Sequence, residues 1–138
     1  MIRFKVLCVV AVSFFGLPAL AQSAQDMVII APHLKAIDTI PTKESLDEAF
    51  ESPAAVLMAA ARDQNLSVYE RTRAITLLSM FPSQQSQFFM GGLMNDSDPE
   101  IRGIAVYTVA RTFGTFPNDQ TFEIIEKALK DPDESVKS

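Results

Sequence analysis

The chain's last residues include Asp131-Pro-Asp-Glu-Ser-Val-Lys137, and 35 residues earlier the same phrase stands as Asp96-Ser-Asp-Pro-Glu-Ile-Arg102. Self-similarity at this period is the signature of a stacked helical repeat, in which each helix pair covers its apolar face with a neighbouring pair. The architecture is therefore tightly constrained. The partner is not, because an array of this kind displays its function on a concave surface built from variable positions.

Breakers between the periodic segments divide the chain into pairs, each with a leading A helix and a trailing B helix. Ser52 followed by Pro53 predicts a helix start, with Ser as N-cap and Pro in the first turn. The first A helix then covers residues 53–64 and its B helix 68–81, entered through the capping box Ser67-Val-Tyr-Glu70 and ended by Pro82. The second A helix covers 84–94 and the second B helix 99–113, with Asp98 as N-cap, Pro99 at the first position and Gly114 as a left-handed C-terminal cap. The third A helix spans 120–130, and its B helix opens at Asp131-Pro-Asp-Glu. Upstream, residues 22–41 form a leader in which Met27 to Ala31 reads as a short strand or a helical turn, and Pro32 and Pro41 bracket a short helical stretch. Thr42 or Ser45 caps a further helix through Phe50.

Periodicity gives each helix one face to bury. Ile101, Ile104, Ala105, Thr108 and Val109 recur at helical spacing, with Ala74, Leu77, Leu78 and Phe81 as their counterpart. On the A helices Val56, Leu57 and Ala60 match Phe89, Met90 and Leu93 at an offset of 33, and these match Ile124, Ile125 and Ala128 at 35. The B helices align at offsets of 31 and 35. About two extra residues therefore fall in the first turn, near Asn65-Leu66.

On Asp96, Asp98, Pro99, Ile101, Arg102 and Ala105, echoed by Asp131, Asp133, Val136 and Lys137 and more faintly by Asn65, Arg71 and Ala74, residues 53–138 resemble the HEAT repeat family. The form resembled is the short bacterial one often called HEAT-like or phycobilisome-lyase-type. Tetratricopeptide and ankyrin arrays have similar periods, but their Trp, Leu-Gly and Thr-Pro-Leu-His positions are not found. The resemblance implies an all-α fold, a short α-solenoid of antiparallel helix pairs, with repeats at about 53–82, 83–117 and an incomplete 118–138. It also implies a ladder in which an acid of one repeat's turn pairs with a basic residue of a neighbour: Arg71 with Asp96, and Arg102 with Asp131 or Asp133, with Asp98 as a further acid of the same turns. Charge-assisted bonds of this kind fix stacking geometry more surely than they add stability.

The first residues read as an export signal. Arg3 and Lys5 precede an almost wholly apolar run over residues 6–17, and Ala19-Leu20-Ala21 is a small-x-small cleavage site. About a dozen apolar residues fall short of the roughly 20 that a spanning helix needs. Residues 1–21 are thus expected to be removed, leaving a leader and capping helix over 22–52 and the repeats over 53–138, in the periplasm or outside the cell, with no membrane insertion after cleavage. Cys8, the chain's single cysteine, lies within the expected signal, so disulfides, thiolate nucleophiles and thiolate metal sites leave with it. The formal charge of −5 becomes more negative once Arg3 and Lys5 are gone, which disfavours nucleic acid and anionic lipid as partners.

The remaining inventory holds little chemistry. His33 is the only histidine, so no triad or imidazole-rich metal site can be assembled. Glu44, Asp47, Glu48 and Glu51 cluster on one helix face but lack the burial that would raise a carboxyl pKa for acid–base work. Met90 and Met94, one turn apart, read as core, and Gly91-Gly92 as a device for close helix approach. No catalytic residue and no cofactor are expected. The reading that follows is a non-catalytic scaffold of the cell envelope that presents a helical surface to a protein partner; the alternative is an accessory domain supporting an enzyme or a chromophore-attachment reaction. Because the third B helix holds only about one turn, residues 115–138 are expected to be the least stable helical region, with Phe122, Ile124, Ile125 and Leu129 half covered.

Overall fold

The computed structural model describes residues 19–138, and every regular element among them is an α-helix. The expected signal, residues 1–21, lies outside the described residues apart from its last three, which open the first helix. The helices are α1 (Ala19–Lys35), α2 (Lys43–Ala49), α3 (Pro53–Arg62), α4 (Val68–Leu78), α5 (Gln84–Leu93), α6 (Pro99–Phe113), α7 (Asp119–Leu129) and α8 (Glu134–Lys137). Most begin on a side chain that accepts an otherwise orphaned backbone N–H. Thr42 accepts from Ser45, Asp98 from Glu100, Asn118 from Thr121 and Asp133 from Ser135. Ser67 and Glu70 form a reciprocal capping box at α4, and Ser83 and Ser86 form another at α5. Ser52 makes no side-chain cap, and Pro53 beside it has no N–H to satisfy.

The helices pack in two layers. α3, α5 and α7 lie side by side in one, α4, α6 and α8 in the other, and each pair packs across the layers. α1 packs on α4 and α3, and α2 on α3, so the leader covers one end of the stack. The buried apolar side chains form one continuous cluster that runs from Ile30 and Leu34 of α1 through Leu57, Leu78, Met90 and Ile101 to Val136 of α8. Burial follows the 3.6-residue period: Val56, Leu57, Ala60 and Ala61 on α3, Phe89, Met90 and Leu93 on α5, and Ile101, Ala105, Thr108 and Val109 on α6.

Several local expectations change. Through Lys35 the leader is one continuous helix rather than a strand or a turn followed by a separate stretch, and it passes through Pro32; residues 36–41, up to Pro41, are not helical. A proline there removes the hydrogen bond to the carbonyl four residues back, that of Val28, and Val28 is exposed, so water can replace the donor. Gly114 is not left-handed: its φ of −69° and ψ of −23° are right-handed helical. Its requirement for glycine is steric instead, because a Cβ would stand 2.1 Å from the Ala110 carbonyl oxygen. α4 stops at Leu78, and Ser79, Met80 and Phe81 continue in a tighter turn, each bonding to a carbonyl three residues back. On α7, Ile124 is buried and Ile125 half-buried, while Phe122 and Leu129 stand 59 % and 61 % exposed.

Candidate functional site: charged turns and the grooves beside them

The sharp turns from A to B helix carry the expected acids, and each acid first organises its own turn. Asp96 Oδ1 accepts from the Asp98 N–H at 3.0 Å, and Asp131 Oδ1 accepts from the Asp133 N–H at 2.9 Å. Asp63 does the same for Asn65 at 2.9 Å. The equivalent of Asp96 in the first pair is therefore Asp63, at the A-helix offset of 33, and not Asn65, whose spacing to Arg71 suggested the match. The two extra residues lie between Asp63 and the α4 cap, so counting back from Arg71 lands on the wrong side chain.

The basic residues of the B helices reach the turn of the next pair. Arg71 Nη2 lies 2.5 Å from Asp96 Oδ2, and its Nε donates to the Ala61 carbonyl at 2.9 Å, one of the carbonyls left without an intrahelical donor at the end of α3. Arg102 grips Asp131 with both prongs, Nε to Oδ2 at 2.8 Å and Nη2 to Oδ1 at 2.9 Å, while Nη1 donates to the Asp96 and Ser97 carbonyls. This fork holds the Asp131 carboxyl below the usual carboxylate range and the guanidinium above its own ordinary value. Asp98 and Asp133 make no ion pair with either arginine; they are helix caps, and the Ser135 hydroxyl and N–H lower the Asp133 carboxyl. Lys137, at the position of Arg102 in the third pair, bonds Glu134 of its own helix.

A second polar connection joins α5 to α7. Gln87 is 1 % exposed, and its amide donates to Asn118 Oδ1 at 2.9 Å and Thr121 Oγ1 at 2.7 Å while accepting from Asn118 Nδ2 at 2.9 Å. The sequence signal is slight: the last residue of the polar run Ser83-Gln-Gln-Ser-Gln87, with no local spacing to its partners. A third connection likewise has no local signal in the sequence. Arg73 and Tyr69 of α4 donate to the carbonyls of His33, Thr39 and Ala36, which closes the C-terminal end of α1 with a cation and a phenol.

The Glu70 carboxyl is buried beneath this end. Oε2 accepts from the Ser67 hydroxyl and N–H, which hold the carboxyl low, and the charge of Lys35 favours the same ionised form. Met90 and Met94 are buried in the core, and Glu44, Asp47, Glu48 and Glu51 are exposed, with Asp47 paired to Lys43. No three His, Cys, Asp or Glu side chains among the described residues gather as a metal-binding group, and no described helix is long and apolar enough to cross a membrane.

Two of the surface grooves run between helices of different pairs. One, of about 590 Å3, crosses three successive B helices: Tyr69, Thr72, Arg73 and Thr76 of α4 face Pro99, Glu100, Gly103 and Ile104 of α6, with Ser135 of α8 beyond. The other, of about 300 Å3, lies on the A layer between α5 and α7. Set against family models, curated proteins and solved structures, the chain finds no match in any of the three comparisons.

Proposed function

We propose that the protein is an exported, non-catalytic scaffold of the cell envelope, a short HEAT-like solenoid that holds a protein partner along its B helices. The observation that carries this reading is the groove shared by α4, α6 and α8. A surface assembled from successive helices fits an extended or helical segment better than a small molecule. Its walls combine the half-buried Ile104 and the Tyr69 ring with charges of both signs, Arg73 and Glu100, so that apolar contact supplies affinity and the charges set the orientation of the bound segment. The charged turns contribute rigidity: each arginine ties one pair to the next, which keeps the three B helices in fixed register.

The test is affinity capture from envelope extract with the exported protein as bait, its intact mass first showing whether it begins at Gln22. Gly103→Arg is the informative variant, because a side chain there meets only the Ser135 carbonyl, at 3.9 Å, and projects into the groove without disturbing the core. We expect one protein to be recovered with the natural bait and lost with Gly103→Arg, both baits having the same helical content. Recovery that is unchanged by the arginine would remove the B-helix face from consideration.

A further inference from the structure

The A-layer groove presents a feature that packing within the chain does not explain. Phe88 stands on it with 74 % of its surface exposed. One turn further along the same face is Gly92, and a Cβ built there would meet nothing within 4 Å. Its neighbour Gly91 differs: a Cβ there would lie 3.2 Å from Ile124 Cδ1, so Gly91 lets α5 and α7 approach. Gly92 makes no such contact and weakens its helix relative to alanine. The face of α5 thus carries a large apolar knob and an open hollow at a spacing of four residues. At the equivalent positions of α7, 35 residues on, stand Glu123 and Lys127, which line the same groove. Lys127 Nζ donates to Asn95 Oδ1 at 2.5 Å, which holds the ammonium against the turn that follows α5.

We propose that this face pairs with the same face of a second copy of the chain, about a two-fold axis that lies in the interface and runs across the helices. Such an axis sets α5 antiparallel on α5 and α7 antiparallel on α7, and it reverses the order of residues along each helix. Phe88 then enters the hollow at Gly92 of the second copy, and Glu123 meets its Lys127. Each contact is made twice, as an isologous interface requires. The charges select this occupant: acid and base are spaced as knob and hollow are, so one axis matches both at once. The absent side chain at Gly92 lets the helix backbones come close enough for the ring to be covered. Because the groove of the proposed partner site is lined by B helices, pairing through the A layer leaves that site open and does not rest on it.

Sedimentation velocity over a range of concentrations tests the pairing. The natural protein should show a concentration-dependent dimer. Gly92→Leu fills the hollow at an exposed position where the helix gains from losing glycine, so the fold survives. It should raise the dimer dissociation constant by about thirty-fold, the equivalent of ~2 kcal/mol for a displaced aromatic anchor. Lys127→Glu, which sets like charges opposite one another, should also weaken the dimer, and adding Glu123→Lys in the same chain should restore it. A monomer at every concentration overturns the proposal. So does a dimer that is indifferent to Gly92→Leu, or a charge reversal that the second reversal fails to rescue.

Discussion

The junction between the first and second helix pairs and the junction between the second and third share the same charged turn, yet they are closed by different means. At the first, the buried Arg71 pairs with an Asp96 side chain that is 11 % exposed, the guanidinium also caps α3 through the Ala61 carbonyl, and the A helices meet through apolar side chains with Arg62 set over the Phe89 ring at 4.5 Å. At the second, the two-pronged Arg102–Asp131 contact is joined by the Gln87–Asn118–Thr121 network on the opposite layer. The position equivalent to Gln87 is Ala54 in the first pair and the exposed Phe122 in the third. The repeat therefore preserves the turn, which must bend the chain the same way each time, and leaves the A-layer contact free to be apolar or polar.

This contrast predicts the largest effect at the first junction. Arg71→Ala removes one partner of a buried pair and also uncovers the Ala61 carbonyl, and breaking such a pair typically costs about 3–5 kcal/mol because the remaining charge is left without compensation. Urea unfolding of the variant measures it. A loss under about 1 kcal/mol would place Arg71 among ordinary surface pairs and leave the two junctions equivalent. Replacing both Arg71 and Asp96 with apolar residues of similar size should recover much of the loss.

A smaller loss is expected at the polar contact of the second junction. Gln87→Ala strands the Asn118 amide and takes away one partner of the buried Thr121 hydroxyl, and an unsatisfied buried group costs about 1–3 kcal/mol. Gln87→Leu should be no better than Gln87→Ala, since the orphaned partners remain in both. If the leucine variant instead matches the natural stability, water reaches Asn118 and the network adds specificity rather than stability.

The legible parts of this fold are those in which cause and effect lie within one turn. Ser67 and Glu70, or Asp98 and Pro99, announce their helix starts because the cap and the N–H it satisfies are three residues apart or fewer. The all-helical class follows from the period, and the faces of α3, α5 and α6 from their spacing. Local pattern misleads in two ways. The six-residue spacing to Arg71 points to Asn65 in place of Asp63, because an insertion shifts one helix against the other without marking its position. At Gly114 the residue type alone suggests a left-handed cap, although a close carbonyl can demand glycine as firmly as a positive φ. What stayed hidden is long-range: Gln87 has its partners at residues 118 and 121, and Arg73 takes carbonyls at 33 and 39, separations that no local pattern encodes.

The smallest expected effect is a dependence on acid that the second junction should carry. Arg102 and the Asp133 N–H favour the ionised form of Asp131, and Ser135 does the same for Asp133, so both carboxyls titrate lower in the folded protein than in the unfolded chain. The unfolded chain then binds more protons in the window just below an ordinary carboxylate pKa of about 3.9, and stability falls with falling pH wherever that holds. The contribution is complete above that value and disappears as the pH drops through the folded-state pKa values. Arg102 stays charged throughout, so the loss belongs to the carboxyls. Asp131→Asn should lower stability at neutral pH and also flatten the decline in acid, because the titrating group is gone. Glu126, lowered by the exposed Lys130 beside it, offers a control: Glu126→Gln removes a shifted carboxyl that ties no helix pair to another, and should leave neutral stability almost unchanged. Urea midpoints collected between neutral pH and about pH 3 separate the cases. An Asp131→Asn protein that lost stability in acid as steeply as the natural one would show that the acid response originates elsewhere, with the Ser67-bound carboxyl of Glu70 as the next group to replace.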